Sequence, residues 1–459
     1  MYYVSTRGAS PAVDFEAALL AGPAPDGGLY VPEHWPVLPP PEELAGLRYP
    51  EVVAEVMAPF VDGSLAPGTL LALAEDAYRD FRHPEVAPLR ALGENVWLLE
   101  LFWGPTLSFK DYALQLLGRL FDHVLARRGR RMLVLGATSG DTGPAAMEAL
   151  QGREGIEAVI LYPHLRISDI QRRQMTTIEA PNVHAVAVEG TFDDCQGLVK
   201  ALFADPALRG ELRLGAVNSI NWVRVAAQAA FYVWALLRLG EPATFSVPTG
   251  NFGNVLAADV ARRMGAPVER LIVATNANRG LVGLPETGVL RVGPVEPTVA
   301  PAMDIQAPSN LERLLFEVSG RDGAAVASSM GTLAADGRLA VPEDQLGELR
   351  RVFEGGWRSD REVEEEIARA KAQHGLVIDP HTAIGLSVGR ERQPEGFPLV
   401  AVATAHPAKF PEAVERATGM RPYLPTALGD LPERPERLTV LPADPRAVAG
   451  FLRKAARRG

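Results

Sequence analysis

The chain has 459 residues, 47% hydrophobic and 22% charged, a composition that excludes wholesale disorder and supplies ample material for a large core. A chain of this size is expected to keep about 17,000 Å² of surface out of about 71,000 Å² unfolded. The 46 Lys and Arg against 56 Asp and Glu give a net charge of −10, which excludes a nucleic-acid binder with a basic face.

The single cysteine, Cys195, excludes an internal disulfide and a thiolate zinc cluster. No apolar run approaches the about 18–20 residues of a membrane span. The first eight residues, Met1 to Gly8, show no basic start followed by an apolar core, so a cytoplasmic location is expected.

Taken in chain order, the first ~90 residues are proline-rich (Pro36, Pro39, Pro40, Pro41, Pro50), with short helical patterns at 15–20 and 70–78. They read as a separate lobe, 1–92. Residues 95–102 read as a strand, Gly104-Pro105 as a turn, and Leu114, Leu117, Phe121, Val124 and Leu125 as one face of a helix starting near Asp111. From about residue 130, strand-like runs at 132–135, 158–162, 183–188, 212–217, 244–247 and 271–274 alternate with helical patterns. That alternation predicts an α/β fold of mainly parallel sheets covered by helices. Residues 285–310 are Pro-rich and strand-poor; roughly 340–375 is charged and helical, a solvated face or helical insertion. A late strand at 399–404 leads to a helix from Pro411, and the basic tail 453–459 is expected to fray.

Only five of the 46 basic residues are lysine: Lys110, Lys200, Lys371, Lys409 and Lys454. Arginine never loses its proton in a protein, whereas a lysine can become a nucleophile or form an imine. Lys371 and Lys454 lie in charged helical surroundings, while Lys110 and Lys409 lie in apolar or loop-rich contexts. Ser108, with Asp111 three residues on, resembles a capping box, which places Lys110 in a first helical turn. There the positive end of the helix dipole opposes an ammonium and favours the free amine.

Four further loops each follow a strand. Thr138-Ser139-Gly140-Asp141-Thr142-Gly143 has small residues and a helix start suited to an anion such as a carboxylate. Pro248-Thr249-Gly250-Asn251-Phe252-Gly253-Asn254 is a phosphate cradle in kind, and a side chain at Gly250 or Gly253 is expected to block it. Asn218-Ser219-Ile220-Asn221-Trp222-Val223-Arg224 offers a guanidinium for a phosphate, against the plainer reading of a cap at Asn221 and a surface salt bridge at Arg224. Thr404, in Thr404-Ala405-His406-Pro407-Ala408-Lys409-Phe410, puts a hydroxyl at a sheet edge. The eight histidines show no metal-binding spacing, and His381 and His406 are read as structural. Neither a dinucleotide fingerprint, a P-loop nor a hydrolase nucleophile elbow is present.

Together these segments resemble the threonine synthase family, in its longer, N-terminally extended form: pyridoxal-phosphate enzymes of the tryptophan-synthase-β-like, fold-type-II group. The resemblance runs through residues 5–8 and 25–32, then 102–111, 138–143, 250–254 and 404–410, in order. It implies a two-lobed catalytic core over 93–459, with a smaller lobe at roughly 130–215. Lys110 matches the lysine that carries pyridoxal 5'-phosphate as a Schiff base. Gly250, Asn251, Phe252, Gly253 and Asn254 match the cofactor-phosphate loop, with Asn254 where Asp is commoner. Thr404 matches the hydroxyl at the pyridine nitrogen, and Asp141 stands beside the cofactor ring. Thr138, Ser139, Gly140 and Thr142 match the loop for the substrate carboxylate; Asn218, Ser219 and Arg224 match the pocket for the substrate phosphate.

The implied reaction converts O-phospho-L-homoserine and water to L-threonine and phosphate, the last step of threonine biosynthesis. It needs no metal, nucleic acid or membrane, in a monomer or homodimer. Two alternatives share the fold: a phospho-lyase giving 2-oxobutyrate, and a non-catalytic interaction protein. Retention of Lys110 in a lysine-poor chain argues against the second.

Overall fold

The computed structural model describes residues 1–93 and 95–457. Two parallel sheets organise the chain. The larger runs in the order Phe353–Trp357, Val268–Thr275, Ala243–Pro248, Leu399–Ala403, Val96–Glu100, Leu89–Gly93, and only the last pair is antiparallel. The smaller runs Thr439–Pro442, Val183–Glu189, Ile156–Pro163, Met132–Ala137, Leu214–Gly215, parallel throughout. Continuous apolar runs such as Ile156–Pro163, buried at every position, fit strands covered on both faces. A small antiparallel sheet (Val13–Asp14, Tyr2–Ser5, Tyr30–Pro32) and the helices Tyr49–Val61 and Thr69–Tyr78 precede them. These helices pack on Lys110–Arg128 and Trp222–Leu239.

The helix Trp222–Leu239 is buried on all sides from Trp222 to Leu236, which its alanine-rich sequence permits because small side chains let neighbours approach. No helix among the described residues is long and apolar enough to cross a membrane. The exposed surface, 17681 Å², agrees with the expectation from chain length.

Four local expectations are corrected. Of 212–217 only Leu214–Gly215 pairs as strand, because Leu212 closes a helix, Pro206–Leu212, that Asp205 caps and Pro206 opens. The segment 340–375 is not wholly helical: Phe353–Trp357 is an edge strand of the large sheet, hidden in sequence by Gly355 and Gly356. Those glycines are steric: a Cβ on Gly355 would lie 2.5 Å from the Val282 carbonyl oxygen, and one on Gly356 would lie within contact of Val388 Cγ1. Residues 439–456 also join the small sheet, as strand Thr439–Pro442 and helix Pro445–Ala456. Residues 453–456 of the tail expected to fray belong to that helix, and Arg458 and Gly459 lie outside the described residues. Finally, the capping box at Ser108 is not made: Asp111 instead accepts from the Thr106 amide (2.8 Å) and hydroxyl (2.7 Å).

Candidate active site

The carboxyl ends of strands from both sheets face one cavity of about 1290 Å³. Every residue singled out from the sequence as a site residue lines it: Lys110, Thr138, Ser139, Gly140, Asp141, Thr142, Asn218, Ser219, Arg224, Gly250, Asn251, Phe252, Gly253, Asn254 and Thr404. Sequence positions far apart meet because the loop 101–109 is stitched to the end of the late strand. The Phe109 amide donates to the Thr404 carbonyl (2.9 Å), and the His406 amide to that of Leu107 (3.0 Å).

Lys110 opens the helix Lys110–Arg128, as the sequence suggested. Its Nζ lies 4.7 Å from the centre of the Phe109 ring and 3.6 Å from Asp141 Oδ2. Burial lowers its proton affinity; Asp141 opposes that, while Lys409 and Arg224 add to it, and the net shift is downward. Desolvation is the largest cause of this downward shift, which moves the group toward the free amine.

Asp141 is paired twice on its other oxygen: Oδ1 accepts from Lys409 Nζ (2.8 Å) and from Gln171 Nε2 (2.9 Å). Burial would raise its carboxyl, but Lys409 and then Lys110 outweigh this and hold it below the usual carboxylate range. Lys409, fully buried, also donates to the Thr106 carbonyl (2.8 Å). The lysine count drew attention to Lys409, but only the fold brings it to Asp141.

The Thr138 hydroxyl donates to the Gly140 carbonyl (2.8 Å) and accepts from the amides of Gly140 and Gly143 (3.0 Å each), so it braces from inside the loop that lines the cavity.

The two glycines of the 250–254 loop are unequal. A Cβ on Gly250 would lie 2.5 Å from the Ala302 carbonyl oxygen, whereas one on Gly253 meets Asn310 Nδ2 and Ser219 Cβ at 3.3 and 3.4 Å. Phe252 holds a left-handed φ of 64° that turns the chain into the helix Gly253–Arg263. Gly250→Ala is therefore expected to weaken retention of a bound anion in this loop far more than Gly253→Ala. Dialysis followed by absorbance of the remaining cofactor measures it; equal losses would refute the steric argument.

Arg224 is 3% exposed, and its Nη1 donates to the Val217 carbonyl (3.1 Å). The surface-salt-bridge reading fails, because no carboxylate pairs with it among the described residues, and burial pushes its guanidinium down to about 10. Asn221 does cap the helix, accepting from the Val223 amide (3.1 Å). Four buried polar atoms around the cavity lack a partner: Asn218 Oδ1, Arg224 Nε, Gln228 Oε1 and Asn254 Nδ2. Unpaired groups of this kind are costly unless a ligand completes them. Tyr232 donates to Asn254 Oδ1 (2.7 Å), which fixes the amide with its NH₂ unpaired. An Asn rather than Asp here thus adds a donor for an anion.

Sequence reasoning missed Gln228, one helical turn after Arg224, whereas His381, read as structural, is satisfied on both ring nitrogens at the cavity wall. The His381 Nε2 accepts from the Ala302 amide (3.3 Å) while Nδ1 meets Asp379 Oδ2 (2.7 Å), so it holds the segment that abuts Gly250.

Fold and cavity define a class first. A family profile described as "Pyridoxal-phosphate dependent enzyme" matches residues 82–349, more than half of the chain. It is flanked by "Threonine synthase N terminus" over 2–78 and "Threonine synthase, C-terminal" over 382–452. The chain belongs to the threonine synthase family. It is 50% identical to the threonine synthase of Pseudomonas aeruginosa, over 100% of this chain and 99% of that one. Among solved structures, the pyridoxal-phosphate-bound threonine synthase of Brucella melitensis superposes with a TM-score of 0.97 at 46% identity, covering 100% of both chains. The yeast threonine synthase gives 0.93 at 34% identity, covering 100% of this chain and 99% of the other.

Proposed function

We propose that this chain converts O-phospho-L-homoserine and water to L-threonine and phosphate, using pyridoxal 5'-phosphate. The observation that carries the reading is the pairing, in one cavity, of a desolvated Lys110 with a buried, carboxylate-free Arg224. A reactive amine and an uncompensated cation suit an amino acid that bears an anionic leaving group. The unpartnered Asn254 Nδ2 and the crowded Gly250 turn fit a second anion, the cofactor's phosphate.

When bound, pyridoxal phosphate supplies an aldehyde for amine capture and a ring that takes up electron density from carbon. The chain's own groups do the rest. Amides of the 250–254 loop and the start of the helix Gly253–Arg263 hold the cofactor phosphate. Thr404 provides a neutral hydroxyl to the ring nitrogen. The 138–142 loop takes the substrate carboxylate at the start of helix Thr142–Leu150. Lys110 Nζ, with its lowered proton affinity, takes and returns protons at the substrate carbons. Arg224, still charged at neutral pH, with Asn218 and Ser219, holds the phosphate as the Cγ–O bond breaks and water supplies the new oxygen at Cβ. The same reading treats 1–92 as a separate lobe and 93–459 as the catalytic core, in a cytoplasmic monomer or homodimer.

The test is incubation of the cofactor-loaded protein with O-phospho-L-homoserine, assaying phosphate, threonine and 2-oxobutyrate together. Equal yields of phosphate and threonine are expected. Phosphate matched by 2-oxobutyrate instead would establish the lyase alternative, and no phosphate would refute the substrate.

A further inference from the structure

Two of the chain's five lysines meet at one carboxylate. The distances are unequal: Asp141 lies 2.8 Å from Lys409 Nζ and 3.6 Å from Lys110 Nζ. Gln171 completes the oxygen that Lys409 holds, and the Thr106 carbonyl takes another Lys409 proton. Thr106 is itself pinned by Asp111, at both amide and hydroxyl. Lys409 is thus fixed from two sides and cannot follow Lys110 if Lys110 moves.

We propose that Lys409 is a positioning residue that holds the Asp141 carboxylate off the Lys110 amine, and so keeps that amine available to react. This rests on the reading of Lys110 as the reactive lysine. A carboxylate with one cationic neighbour would close on it and fix it as an ammonium. With Lys409 present, the carboxylate is already satisfied, and a second positive charge stands near Lys110. Both effects favour the free amine.

The charged groups facing this pair are few. Toward Lys110 they are Asp141, Lys409 and, from the helix Trp222–Leu239, Arg224. Asp111 and His406 face Lys409. Burial pushes the Asp111 carboxyl up to about 6 and the His406 ring down to about 4, so His406 is neutral near pH 7. Neither stands in for Lys409: His406 brings no charge there, and Asp111 brings one of the wrong sign.

The experiment uses the full-length chain stripped of cofactor and labels amines with a water-soluble reagent across a pH series. Mass spectrometry reads each lysine separately. Exposed Lys200 and Lys454 serve as internal references. In Lys409→Met and in Lys409→Gln, which retains hydrogen bonding without charge, the Lys110 labelling midpoint is expected to rise by about one pH unit. Asp141→Asn alone is expected to move it the opposite way, and Lys409→Met with Asp141→Asn to return it toward the parent value. A midpoint unchanged or lowered in both Lys409 variants overturns the proposal. If both fail to fold, a Lys110 midpoint unmoved or raised in Asp141→Asn does the same. The readout is independent of whether Lys110 carries the cofactor, which borohydride trapping tests separately.

Discussion

Lys110→Ala is expected to end threonine formation, with kcat lowered at least about 10³-fold, because nucleophile and proton carrier are lost together. Lys110→Arg is expected to fail equally, since a guanidinium keeps its proton and forms no imine. Neither change should unfold the chain. The side chain is 12% exposed in the cavity, and Asp141 retains Lys409 and Gln171 as partners. Alanine removes a desolvated cation and arginine keeps the charge beside the cavity, so the melting temperature should shift by no more than a few degrees in either. Borohydride reduction and peptide mapping give the direct readout: the cofactor's mass on the Lys110 peptide in the parent and absent in both variants. Label on another lysine would move the assignment. The pH dependence has a definite sign. In the cofactor-free protein imine formation requires the free amine, and burial lowers its proton affinity, so the rate of cofactor recapture should rise with pH through a midpoint below the ordinary lysine value of about 10.4 and be lost as pH falls through it.

Much of this architecture was legible because strands buried on both faces leave continuous apolar runs, as at Ile156–Pro163 and Leu399–Ala403. What sequence concealed shares a physical origin in contact with distant chain. Gly355 and Gly356 erase the strand signature at Phe353–Trp357, because Val282 and Val388 leave no room for a Cβ. The strand Thr439–Pro442 has alternating half-buried and exposed residues at the edge of a sheet formed far earlier in the chain, so it carries little apolar signal.

The site divides in the same way. Loops with a local signature, such as 138–143 and 250–254, were recognisable as helix starts after strands. The state of each side chain was not. The sequence marked the 138–143 loop but not that the Thr138 hydroxyl is engaged by its own loop. Gly250 and Gly253 looked equivalent, yet only Gly250 is pressed against the Ala302 carbonyl. Lysine scarcity and a helix start singled out Lys110, whereas the burial that lowers its proton affinity was not visible in the sequence. Gln228 carried no signal beyond one more polar residue on an apolar helix.

Arg224→Ala is expected to keep the bound cofactor and lose turnover of O-phospho-L-homoserine. Arg224 has one carbonyl partner, an unpartnered Nε and no carboxylate among the described residues. A buried cation of this kind destabilises the empty protein and is offset when an anion arrives. Losing one partner of a desolvated charge pair costs about 2–5 kcal/mol, which is about 30-fold or more in kcat/KM. Arg224→Lys restores charge without the planar fork, so it should recover only part. Arg224→Met fills most of the same space without charge, and two measurements then separate a substrate role from a structural one. Thermal unfolding without anions should leave Arg224→Met at least as stable as the parent. Added inorganic phosphate should raise the parent's melting temperature more than the variant's, because binding to the folded state alone stabilises it. Near-normal kcat/KM in Arg224→Ala, or equal phosphate stabilisation of parent and Arg224→Met, would remove Arg224 from the phosphate pocket and leave its unpaired charge without a ligand to explain it.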